Sequence, residues 1–257
     1  MSDGSPVDGS ASLEPDMPGA GVFKARGSFV VRCEGCRLPS LNCLCPFRVL
    51  THSRARFVVL MHRLEHLKPT NTGRLIQDCL PDTQVFTWSR TEHDPDLMAL
   101  LEDPAMAPMI IFPDDQPDYA DRVIDDTAID AAFDGGKTPL FILLDGTWRQ
   151  ARRMFRRSTY LSGLPVLPLN TARLTRYRLR KAASSAHLCT VEVAIELLKK
   201  SGDTVASVRL DDYFDVFNDS YAASRRYELI ERPTPAMRRL TALQECCTNA
   251  DNRENGC

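Results

Sequence analysis

The chain has 257 residues, 43% of them hydrophobic and 26% charged, with a net charge of −2. That is enough chain for a buried core in one or two domains, and it excludes collagen-like, fibrous and wholly disordered proteins. No apolar run reaches the roughly 18 residues of a membrane span. The first 23 residues carry four acidic and no basic side chains, unlike a signal peptide, so the expectation is a cytoplasmic protein with no membrane partner.

In chain order, residues 1–24 are rich in Gly, Ser, Pro and Asp and read as a disordered tail. Residues 25–50 hold a cysteine-rich element. Short apolar runs at Arg56 to Met61, Gln84 to Trp88, Met109 to Phe112 and Leu140 to Leu144 read as buried strands. Leu164 to Leu169, broken by Pro165 and Pro168, reads as an edge strand. Helices are expected at Thr72 to Leu80, Trp148 to Arg157, Thr190 to Lys200 and Asp211 to Arg225. Strands alternating with helices predict an α/β domain over 51–230 with a mostly parallel sheet. Ligands of such sheets bind beyond the carboxyl ends of the strands. Residues 231–257 read as a flexible C-terminal tail.

Charge is unevenly spread. From Glu92 to Asp134 there are 13 acidic residues and one basic one; from Asp145 to Ser185 there are 10 basic and one acidic. Either the basic segment meets a polyanion or the two segments form faces that attract each other. Arg149, Arg152, Arg153, Arg156 and Arg157 fall on one helical stripe about 140° wide. Ala151, Met154 and Phe155 lie opposite. No acid within the helix relieves the stripe, and Arg176, Arg178 and Arg180 extend the positive charge further on. A phosphate-binding face, hence a nucleic-acid partner, accounts for this pattern.

Cys33, Cys36, Cys43 and Cys45 place four thiols within 13 residues. In a reducing compartment this spacing suits a closed tetrahedral zinc site of structural type; a redox CxxC pair or unrelated buried thiols are the alternatives. The run Asp145-Gly146-Thr147-Trp148 sits where a buried strand ends and a helix begins. Either Asp145 or Thr147 can serve as the helix N-cap, and Trp148 can be core packing. A glycine permitting close backbone approach beside an acid and a tryptophan also suits a ligand site.

These residues together resemble the DTW-domain family. The likeness rests on the CxxC…CxC element, on His62-Arg-Leu-Glu65 followed by Lys68-Pro-Thr-Asn71-Thr-Gly73-Arg-Leu75, and on Leu143-Leu-Asp-Gly-Thr-Trp-Arg-Gln-Ala151. Tyr177-Arg-Leu-Arg180 and Leu188-Cys-Thr-Val-Glu192-Val-Ala194 complete it. Arg63 departs from the proline many members have there. Within the family the likeness runs to the bacterial tRNA-uridine aminocarboxypropyltransferases. The resemblance implies transfer of the 3-amino-3-carboxypropyl group of S-adenosylmethionine to N3 of a tRNA uridine, with methylthioadenosine released. It also implies a SPOUT-like fold with a knotted C-terminal part, acting as a monomer without an obligate protein partner. Asp145, Thr147 and Trp148 become candidate catalytic residues, with Asp145 either the base for N3 or a positioning group for the donor's ammonium. Leu143, Asp145, Trp148, Leu167, Cys189 and Thr190 become candidate donor-binding residues. His62, Glu65 and Asn71 would line the RNA side, though a core histidine at 62 fits equally. An S-adenosylmethionine-dependent RNA methyltransferase and a non-catalytic zinc and RNA-binding module are the competing functions.

Overall fold

The computed structural model describes residues 30–169, 175–176, 188–231 and 233–254. The tail expected at 1–24 lies outside the described residues, as do Tyr177, Arg178 and Arg180. From Arg32 onward the chain forms one unit, so the cysteine element is not a separate domain. Cys36, Leu38 and Leu44 are fully buried in the same core as Val59 and Leu75.

Five strands, β1 (Arg56–His62), β2 (Gln84–Trp88), β3 (Met106–Ile111), β4 (Thr138–Asp145) and β5 (Val166–Leu167), form an all-parallel sheet in the order β2-β1-β4-β3-β5. Its central strands are apolar on both faces. Phe57, Val59, Met61, Phe141 and Leu143 face one core; Val58, Leu60, Leu140 and Ile142 face the other. β5 has only two residues, flanked by Pro165 and Pro168. Proline cannot donate to a ladder, and the sheet ends there.

The first core is covered by α1 (Gly73–Cys79), α3 (Thr127–Asp134), α5 (Thr190–Lys200), α6 (Thr204–Arg226) and α7 (Pro235–Glu254). The second is covered by α2 (Pro95–Glu102) and α4 (Trp148–Arg157). α4 buries Ala151, Met154 and Phe155, as its arginine stripe requires. Two short helices in the acidic segment, α2 and α3, escape the apolar-periodicity reading. α2 nonetheless carries a start signal: Asp94 accepts a hydrogen bond from the Asp96 N–H at 3.0 Å, with Pro95 in the first turn.

The expected flexible tail at 231–257 needs correction. α7 buries Ala236, Met237 and Leu240, and the Arg239 guanidinium donates to both Asp212 oxygens at 2.5 and 2.9 Å. Its apolar spacing is sparse, and only the surface offered by α6 shows what it packs against. Whether the chain between β5 and α5 threads a knot is decided by residues 170–174 and 177–187, outside the described residues. No helix among the described residues is long and apolar enough to cross a membrane.

Candidate active site

The topology singles out one crevice. From β1 the chain turns to α1 on one face and continues to β2; from the adjacent β4 it turns to α4 on the other face and continues to β5. The carboxyl ends of β1 and β4 therefore form a topological switch point, where loops diverge and leave room for a ligand.

Asp145 ends β4 and is only 4% exposed. Asn71 Nδ2 donates to its Oδ2 and Thr190 Oγ1 to its Oδ1, both at 2.5 Å. Asn71 Oδ1 in turn accepts the Arg74 backbone N–H at 3.0 Å, in the first turn of α1. A Cβ at Gly73 would lie 3.0 Å from the Asp145 carboxyl carbon and Oδ2, and 3.1 Å from Val59. Glycine lets α1 approach this closely without displacing Asp145 or Val59, whereas a Cβ would require them to give by a few tenths of an ångström. A buried carboxylate costs several kcal/mol, about, unless it is hydrogen-bonded; the two donors supply that compensation.

His62 ends β1 and turns to the opposite face. It stacks on Trp88 (ring centroids 6.0 Å apart, 22° between planes), and its Nδ1 lies 3.2 Å from Gln150 Nε2 on α4. Burial, the largest effect, holds its pKa below the usual 6.5; Arg63, Lys68 and Arg153 act in the same direction and Glu65 against it. The two strand ends are thus cross-braced. The residue ending β4 is held by the segment that follows β1, and the residue ending β1 by the helix that follows β4.

Thr147 is the N-cap of α4. Its N–H donates to Gln150 Oε1 at 2.7 Å and its hydroxyl accepts the Gln150 N–H at 3.4 Å, a capping box. This local role accounts for a threonine expected among catalytic groups. Trp148 packs on the α4 face, stacked on Phe112 (5.4 Å, 12°), with Arg152 over its ring at 5.6 Å. Asp145 and Trp148, three residues apart, therefore serve opposite faces of the sheet.

Of the candidate donor-binding residues, the structure brings Asp145 and Thr190 together. Cys189, the residue before α5, has its thiol pKa raised well above 9.0, first by burial. Leu143 is buried two residues before Asp145, while Leu167 lies on β5, beyond β3. Fully buried Glu192 accepts from the Cys189 N–H (2.9 Å), the Thr175 hydroxyl (2.6 Å) and the Arg176 N–H (2.6 Å), tying residues 175–176 to α5. Glu65, expected on the RNA side, is fully buried and paired with Lys68 at 2.5 Å. The sequence reading missed Gly73 and Gln150. The i, i+3 spacing of Thr147 and Gln150 was the available signal for the latter.

The four cysteine thiols lie within 4.8 Å of one another, with Cys33–Cys45 at 3.6 Å and Cys36–Cys43 at 3.7 Å. Zn–S bonds of about 2.3 Å in a tetrahedron put sulfurs about 3.8 Å apart, so the cluster fits such an ion. The Leu44 N–H donates to Cys36 Sγ at 3.4 Å, a bond of the kind that orients metal ligands. Arg37, at φ 59°, closes the turn after Cys36, and its guanidinium donates to the His66 carbonyl at 2.6 Å. The cysteine element thereby braces the loop between β1 and α1.

The DTW domain family matches residues 30–222 of the chain. This protein belongs to the DTW-domain family. Among curated proteins it is similar to the tRNA-uridine aminocarboxypropyltransferase 2 of Macaca fascicularis, 25% identical over 178 residues, which are 66% of this chain and 57% of the relative. The proteins of the same name from Mus musculus (24% over 182 residues, 66% and 57%) and Drosophila melanogaster (23% over 176 residues, 65% of each) are similar too. The chain thus spans less than two thirds of these relatives' length. No solved structure matches it.

The arginines after the DTW motif divide into groups. Arg152 reaches Asp115 at 3.9 Å, and Arg156 reaches Asp118 at 3.7 Å and Gln116 at 3.2 Å. Arg149, Arg153 and Arg157 are exposed and form no ion pair among the described residues. Attraction between the acidic and basic segments therefore accounts for Arg152 and Arg156, while Arg149, Arg153 and Arg157 face solvent. Arg176, expected to bind RNA, is committed elsewhere: its guanidinium pairs with Asp211 and with both Asp215 oxygens at 2.8 and 3.1 Å on α6. Two carboxylates already match its charge and geometry.

Proposed function

We propose that this DTW protein is a tRNA-uridine aminocarboxypropyltransferase of SPOUT-like fold that works as a cytoplasmic monomer. Its substrates are tRNA and S-adenosylmethionine. In the reaction uridine N3 loses its proton and attacks the Cγ of the methionine moiety. The N3–Cγ bond forms, the Cγ–S bond breaks, and its electron pair stays on sulfur to give methylthioadenosine. The single observation carrying this reading is the buried, cross-braced Asp145 at the switch point of a family member. We assign Asp145 as the base from its place at the carboxyl end of β4, at the β1/β4 switch point.

Thr190 and the start of α5 flank the donor, and Arg149, Arg153 and Arg157 meet tRNA phosphates. Cys33, Cys36, Cys43 and Cys45 hold a zinc ion whose four protein ligands leave no position for substrate, so it serves structure alone. Nucleoside mass spectrometry after incubation with tRNA and S-adenosylmethionine is the test. A uridine mass increment of the aminocarboxypropyl group is expected. A methyl increment identifies a methyltransferase instead, and no increment with retained tRNA binding identifies a binding module.

A further inference from the structure

We infer that His62 presents a fixed Nε2–H as a hydrogen-bond donor to a carbonyl oxygen flanking N3 of the substrate pyrimidine; the ligand, though not the proton's position, rests on the function proposed above. The argument begins at a backbone amide. The Thr147 N–H can only donate, and its acceptor is Gln150 Oε1 at 2.7 Å; the Thr147 hydroxyl lies 2.9 Å from the same oxygen. This fixes which end of the Gln150 amide is oxygen, usually an open choice. The opposite end, the NH2 group, is the one 3.2 Å from His62 Nδ1. An amide NH2 donates, so Nδ1 accepts, and the neutral ring carries its proton on Nε2.

The ring's surroundings keep it neutral. Burial and the charges of Arg63, Lys68 and Arg153 oppose protonation; Glu65 favours it, but is paired with Lys68. The stack on Trp88 fixes the ring plane, and Trp88 is itself held by its indole N–H to Ser158 Oγ at 2.8 Å. Nε2 has no partner among the described residues, nor is it one of the buried atoms left unsatisfied. A core histidine would have both nitrogens satisfied or sealed away. This one is oriented through one nitrogen and open at the other.

Its position matches the chemistry. Met61, the residue before His62, is the register partner of Asp145 across β1 and β4. A Cβ on Gly146 would come within 3.6 Å of His62 Cβ. Donor and carboxylate thus occupy the same ends of two adjacent strands. When N3 loses its proton, negative charge spreads to the flanking carbonyl oxygens. A preorganised neutral donor there stabilises the charge as it develops. The proton stays on Nε2 throughout.

The experiment uses the full chain. Nitrogen-15 NMR of labelled histidines should show the His62 Nε2–H tautomer. Gln150→Glu keeps an oxygen for the Thr147 N–H but sets a carboxylate oxygen against Nδ1, and should shift the proton to Nδ1. That variant should lower kcat about 10-fold or more, with KM for tRNA nearly unchanged. His62→Phe keeps the stack on Trp88 and should lower kcat about 10²-fold. Melting temperatures of both variants are measured alongside. An Nδ1–H tautomer in the wild type overturns the inference, as does wild-type kcat in His62→Phe. If the wild type makes no aminocarboxypropyl product, the proposed reaction and the carbonyl ligand fall, while the tautomer measurement stands by itself.

Discussion

The two sides of the β1/β4 crevice are built from the same plan and end in opposite chemistry. On the α1 side, Asp145 is almost fully buried, hydrogen-bonded through both oxygens, and packed so closely by Gly73 that a Cβ there would press on its carboxyl group at 3.0 Å. On the α4 side, His62 is half-buried, held through one nitrogen and open at the other. Alternation along each strand sends the last residue of β4 toward α1 and the last residue of β1 toward α4. The crossed loops then supply what each group needs, charge compensation for one and orientation for the other. Charge burial is expensive enough to demand enclosure, whereas a neutral ring can stay partly open.

Removing the charge tests the first side most severely. Asp145→Asn should fold, because the Thr190 hydroxyl can turn to accept from the new amide while Asn71 still donates to its oxygen. Transfer should fall by about 10²-fold or more while donor binding persists. Lost donor binding with intact chemistry would reassign Asp145 as a positioning group. Calorimetric titration with S-adenosylmethionine, beside single-turnover rates, separates the two.

Removing the brace should have a smaller effect. Asn71→Leu removes the hydrogen bonds of Asn71 to Asp145 Oδ2 and to the Arg74 N–H, and should cost about 1–3 kcal/mol of stability. Urea denaturation measures this. An unchanged midpoint would show that α1 and Asp145 are not coupled as described.

The arginine stripe allows a third comparison. Replacing Arg149, Arg153 and Arg157 with Gln should weaken tRNA binding and flatten its salt dependence, by up to about 0.9 in slope for each lost duplex phosphate contact. Replacing Arg152 and Arg156 should do less, since they face Asp115 and Asp118. Their exposed ion pairs contribute only about 0–1 kcal/mol, so stability should barely change. Equal losses of affinity in the two sets would erase the distinction between paired and unpaired arginines.

The smallest expected effect is a pH dependence on the His62 side. Its pKa is lowered on folding, so the unfolded chain binds the proton more tightly. This contribution to stability is complete above about pH 6.5 and is lost as pH falls from there through the lowered folded value, with a slope of at most about 1.4 kcal/mol per pH unit. On acidification the wild type should therefore lose stability relative to His62→Phe. A difference independent of pH would mean that the ring titrates alike folded and unfolded.

The four long strands, α4 and α5 were legible because their apolar residues follow the periods of strand and helix; the run Leu164 to Leu169 was legible as an edge strand, but its prolines cut it to Val166–Leu167. The cysteine quartet was legible because its four members are close in sequence. Less legible were α2, α3 and α7, which are short or sparsely apolar and owe their stability to the surfaces they meet. The acid Asp145 could be named from its place at a strand end. Its partners Asn71 and Thr190 lie 74 and 45 residues away, and no local pattern joins them.

The sequence by itself determined the α/β class, the strand-end motif, the thiol cluster and a one-sided arginine helix, since each follows from spacing within a few residues. Tertiary structure alone decided which face each motif residue serves. It separated Asp145 from Trp148, made Thr147 a cap, and withdrew Arg176 into pairs with Asp211 and Asp215. It also linked the Gln150 amide to the His62 ring across 88 residues. The physical reason is that hydrogen bonds and ion pairs act over about 3–4 Å in space, and only the packed sheet brings such distant residues within that range.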